Sequence, residues 1–104
     1  MSPVRFEMDK RAFGVVNFVR ARGQTRYAVE PLKQALETTL NVRVQAKRET
    51  LFGPRVHSFT FMGETVKIYP TDSGDVRLDL GHIDDEVRET LLEHMRQSFD
   101  FVGR

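Results

Sequence analysis

Between Asn41 and Leu80 apolar and polar residues change places at nearly every step, four times over. Val42, Val44 and Ala46 alternate with Arg43, Gln45 and Lys47. Further on, Phe59 and Phe61 alternate with Ser58, Thr60 and Met62. Val66 and Ile68 alternate with Thr65, Lys67 and Tyr69, and Val76, Leu78 and Leu80 alternate with Arg77 and Asp79. A period of two marks a strand with one face in a core and the other in water. Gly53-Pro54, Met62-Gly63 and Asp72-Ser73-Gly74 separate the four runs. Connections that short join antiparallel neighbours. The spacing therefore predicts a four-stranded antiparallel meander over 42–48, 55–62, 64–69 and 75–80. A slip of one residue would turn Phe59, Phe61, Ile68 and Leu78 into water, so the register is strongly specified. The first of these strands is expected at a sheet edge, where Arg43, Lys47 and Arg48 discourage pairing with other chains.

The flanking segments change period. Val87, Leu91, Met95 and Phe99 recur every four residues behind Asp84, Asp85 and Glu86. Carboxylates suit the start of a helix, and Asp84 is the expected cap. Pairing Asp84 with Arg88, and Arg96 with Asp100, would support its exposed side. Leu32, Ala35, Leu36, Thr39 and Leu40 give a second apolar stripe, with Pro31 in the first turn and Asn41 at the end. Val4, Phe6 and Met8 alternate as in a short strand. Ala12, Val15, Val16 and Val19 fit one helical face, with Gly23 beyond it, although Gly14 and three valines favour helix poorly. A helix is the reading taken, with a buried strand as its competitor. The predicted fold class is α+β: one domain over 1–104, with helices from the N- and C-terminal segments packed on one face of the meander.

Composition narrows the function classes. An apolar share of 39% with eight Phe argues against disorder. The absence of cysteine excludes disulfides and thiolate metal sites. No apolar run reaches the ~18 residues that span a bilayer, and no leader pattern opens the chain. The expectation is a cytoplasmic protein with no membrane contact. Net charge is +1, but residues 1–59 hold eleven basic and five acidic side chains, while 60–104 hold five and ten. The two halves thus carry +6 and −5, a separation able to mark a basic surface.

Chemical motifs are scarce. His57, His82 and His94 lack the close spacing of metal ligands, so no metal and no cofactor are expected. His57 and Ser58 are adjacent on a strand and point to opposite faces, which rules out a nucleophile–base pair on that strand. Phosphate loops, dinucleotide fingerprints and nucleophile elbows are missing. The chain is accordingly expected to be a non-catalytic binding or regulatory module acting through a protein partner, a second copy being the simplest. Phe13, Val16 and Phe18 are the expected interface, because a segment apolar nearly all round needs cover on more than one side. The alternative is a nucleic-acid-binding protein. Its surface would be the outward sheet face, with Arg43, Lys47, Lys67, Tyr69 and Arg77, helped by a second basic group of Lys10, Arg11, Arg20, Arg22 and Arg26.

Overall fold

The alternating segments form strands, and there are more of them than the spacing predicts. In the computed structural model, which describes residues 4–20, 29–48, 51–53, 55–71 and 75–102, the order along the chain is β1 (Arg5–Met8), β2 (Val15–Phe18), α1 (Val29–Leu40), β3 (Gln45–Arg48), β4 (Arg55–Phe61), β5 (Glu64–Pro70), β6 (Val76–Asp79), α2 (Asp85–Ser98) and β7 (Asp100–Phe101). The seven strands make one mixed sheet in the order β3-β4-β5-β6-β2-β1-β7. All neighbours are antiparallel except β1 and β7.

The α+β class stands, and two expectations about its detail are corrected. A four-stranded antiparallel sheet is too small a description, since β2 continues the sheet beyond β6 and β1 and β7 extend it further. The segment expected as an N-terminal helix is a turn followed by β2. There Val16 and Phe18, two residues apart, are buried, with Val15 and Asn17 half-buried between them. β-Branched valines fit a pleated surface better than a helix. Gly14, at φ 73°, supplies the left-handed residue that turns the chain from β1 toward β2. The expected helix end at Gly23 lies outside the described residues, as do Pro54 and the Asp72-Ser73-Gly74 turn.

The remaining elements form for local reasons visible in the sequence. Asp84 caps α2 by accepting from the backbone N–H groups of Glu86 and Val87, and its own N–H donates to Glu64 at the start of β5. Met62 and Gly63 both have positive φ, the geometry of a two-residue hairpin between Phe61 and Glu64. Asn41 ends α1 at φ 55°. Leu32, Leu36 and Leu40 of α1 and Val87, Leu91, Leu92 and Met95 of α2 are buried in one cluster with Phe6, Val16, Phe18, Phe59, Val66, Ile68, Val76 and Leu78 from the sheet. Each such side chain removed from water contributes about 1.5–3 kcal/mol. The helices thus cover one face, and the alternate residues of β3 to β6 face the other way.

Candidate binding face

Strand pairing fixes which outward residues stand together. Gln45, Ser58 and Lys67 make one rung across β3, β4 and β5. Thr60 and Thr65 make a second, and Lys47 pairs with Val56 in a third. Since His57 pairs with Ile68, Val56 falls beside Tyr69, which pairs in turn with Arg77. Arg43, just before β3, shares a depression of about 240 Å³ with Gln45, Ser58 and Thr60. Lys47, Arg48, Val56, Ser58, Thr65 and Lys67 line another of about 410 Å³. Arg43, Lys47, Lys67, Tyr69 and Arg77 therefore lie on one side of the sheet, as the alternation predicts.

They do not form one electrostatic unit. Asp9 accepts from the backbone N–H of Arg11 at 2.7 Å and from Asn17 Nδ2 at 3.1 Å, and it stands 3.8 Å from the Arg77 guanidinium. The Arg11 amide first, then the Asn17 amide, holds the Asp9 carboxyl below its ordinary range, with Arg77 adding a smaller pull. Arg77 thus belongs to a mixed-charge region with Glu7, Asp9 and Asn17. Along β6 the outward carboxylates are Asp75 and Asp79. Asp75 binds Arg20 at 3.1 Å, while Asp79 accepts from the Gly81 N–H and lies 3.8 Å from His82. The outward positions of β3, β4 and β5 carry no Asp or Glu. Positive charge gathers there, among the hydroxyls of Ser58, Thr60 and Thr65 and the partly exposed ring of Tyr69.

The other expected site residues separate. Val16 and Phe18 point into the core, so of the expected interface only Phe13 is open, 74% exposed. Its ring lies 4.6 Å from the guanidinium of Arg88. Arg88 itself is only 6% exposed. It donates to the carbonyls of Leu80 and Ile83 and pairs with Asp85, not with Asp84. Arg96 lies over the Phe101 ring. Of the second basic group, Lys10 and Arg11 are exposed at the β1–β2 turn, Arg20 is paired, and Arg22 and Arg26 lie outside the described residues.

The histidines are dispersed in role. His57 faces the helical side with Nδ1 buried and unpartnered, and the His94 ring meets Phe61 edge-on while its Nδ1 contacts the Thr90 carbonyl. Among the described residues no group of three or more His, Asp or Glu could hold a metal ion, and no helix is long and apolar enough to cross a membrane.

Sequence reasoning missed one surface feature. Leu51 and Phe52, in the β3–β4 connection, are 77% and 94% exposed. Its signal is a pair of large apolar residues just ahead of Gly53-Pro54, where turns normally carry small or polar side chains. Comparison of the chain with protein-family models, with curated proteins and with solved structures gave no match.

Proposed function

We propose that this chain is a non-catalytic binding module that holds single-stranded nucleic acid against the outward face of β3, β4 and β5. One observation carries it: Lys67 in the Gln45–Ser58–Lys67 rung, Lys47 in the next rung toward Tyr69 and Arg43 just ahead of β3 share a sheet face whose outward positions on β3, β4 and β5 carry no Asp or Glu. Single strands are held by a cationic track together with aromatic rings on which bases stack. Cations on β3 and β5 stand roughly 10 Å apart across the sheet, two strand spacings, and so address different phosphates. Ser58, Thr60 and Thr65 add neutral donors for phosphate oxygens.

The test is fluorescence anisotropy with a labelled single-stranded oligonucleotide over a salt series. Three phosphate contacts give log K against log salt a slope of about −2. Lys47→Gln should flatten that slope by about 0.7, and Arg43→Glu with Lys47→Glu should abolish binding. A complete lack of binding at low salt rejects the proposal.

The second reading is a protein partner, with a second copy of the chain the simplest case. The exposed rings of Phe13 and Phe52 favour it, since aromatic side chains anchor such interfaces. Binding of that kind would survive loss of Lys47 and Arg43 and fail with Phe13→Ala.

A further inference from the structure

The basic face has one weakness as a site for single strands: among the described residues Tyr69 is the only aromatic ring on the outward positions of β3, β4 and β5. The β3–β4 connection supplies another. Phe52 is 94% exposed and Leu51 77%, an unfavourable way to leave a Leu–Phe pair unless something covers it. In the sequence Glu49 and Thr50 join Leu51 to Lys47 and Arg48 of β3, two residues lining the depression that also contains Val56 and Lys67. Val56 follows Phe52 by four positions, a reach of at most ~13 Å. Tyr69 sits beside Val56, so both rings fall within the length of one short strand. We infer that Phe52, with Leu51 beside it, is the base-stacking tip of the same site: phosphates run along Arg43, Lys47 and Lys67, while a base leaving the face packs on the Phe52 ring. This rests on the binding proposed above.

Charge complementarity selects the occupant. Lys47, Arg48 and Lys67 line the neighbouring depression and outnumber the one acid of the connection, Glu49, so whatever covers the apolar tip must offer apolar surface and negative charge together. A single strand offers both in alternation, base and phosphate. A second copy meeting tip to tip would bring Lys47 and Arg48 against their own counterparts, because a two-fold contact pairs each patch with itself.

The chain contains no tryptophan, so Phe52→Trp places a sole reporter at the tip. Phe52 is almost fully exposed, and the substitution should leave the circular dichroism spectrum and melting point unchanged. The variant is titrated with an oligothymidine and with an abasic oligomer carrying the same number of phosphates. Anisotropy of the labelled strand is followed alongside. The expected result is that both oligomers bind but only oligothymidine quenches the indole emission of the Phe52→Trp variant. Phe52→Ala should weaken oligothymidine binding by about 5- to 150-fold, the equivalent of one lost stack. Its salt slope should not change, since no phosphate contact is lost.

Binding of both oligomers with unchanged emission and an unaltered Phe52→Ala affinity overturns the tip while leaving the face intact. Failure of both oligomers to bind overturns both. Two controls name the competing occupants. A blue shift on adding phosphatidylserine vesicles, without quenching by oligothymidine, would assign the tip to a membrane surface. A blue shift with rising protein concentration alone would assign it to self-association. Either result overturns the inference.

Discussion

Gly14 and Gly81 meet where the β1–β2 turn packs against the loop leading to α2, and substituting them separates two costs that usually arrive together. A Cβ on Gly14 would lie 2.6 Å from the Gly81 Cα and nitrogen, and Gly14 has φ +73°. The Gly14 carbonyl also accepts from the Leu80 N–H at 2.8 Å, so neither backbone can withdraw freely. Gly14→Ala therefore carries a left-handed penalty of about 1–2 kcal/mol and an overpacking penalty of about 1–3 kcal/mol. Reduced freedom of the unfolded chain offsets about 0.4–1 kcal/mol. The net loss is about 1–4.5 kcal/mol, a large share of the roughly 5–15 kcal/mol typical of a domain.

Two controls isolate the parts. Gly63 has φ +83° with nothing within 4 Å of an added Cβ, so Gly63→Ala carries only the conformational cost, about 1 kcal/mol net. For Gly81 the obstacle is the Phe13 carbonyl oxygen at 2.6 Å from an added Cβ, with no left-handed φ, so Gly81→Ala carries only the clash. Urea denaturation with a common m-value gives all three. Gly14→Ala should be the worst. If it costs no more than Gly63→Ala, the close approach of the two loops is not present in solution.

Two further expectations concern buried and paired charge. Arg88→Met keeps most of the buried stem but loses the guanidinium beside the Phe13 ring and its donors to Leu80 and Ile83, and should cost about 1–3 kcal/mol by the same denaturation; Asp85→Asn, removing an exposed carboxylate, should cost less than about 1 kcal/mol, and equal costs would mean the ion pair and not the carbonyl bonds holds Arg88. Asp9 is more acidic folded than unfolded, so its contribution is complete above the unfolded pKa of about 4 and is lost as pH falls through the lower folded value. In thermal melts the gap between wild type and Asp9→Asn should close in acid, and a gap that persists there would contradict the hydrogen bonding described.

The outward face was legible in the sequence because parity alone sets it. Once Phe59, Phe61, Val66 and Ile68 are placed inward, Ser58, Lys67 and Tyr69 must face out, whatever the rest of the sheet does. The Asp84 cap and the α2 stripe were legible for the same reason, being local. Residues 12–19 were not, because Ala12, Val15, Val16 and Val19 satisfy the helical spacing while Val16 and Phe18 satisfy the strand spacing. What decides between them is nonlocal: β2 finds open edges on both β1 and β6. β7 is two residues long and becomes a strand through its pairing with β1, so no periodicity could reveal it. Arg88 escaped because an i,i+4 partner in Asp84 explains it on the surface, whereas docking of α2 buries it. The capture of Arg77 by Asp9 needs the β6-β2-β1 order, which the spacing does not contain.

Nuclear magnetic resonance on the ¹⁵N-labelled chain tests the central claim most directly. Titration with a short single-stranded oligonucleotide at low salt should move the amide signals of Arg43, Gln45, Lys47, Ser58, Lys67 and Tyr69, leave those of α2 in place, and lose its effect as salt is added. Shifts confined to α2 or to the Phe13 turn, or no shifts at all, would contradict binding at the β3–β5 face.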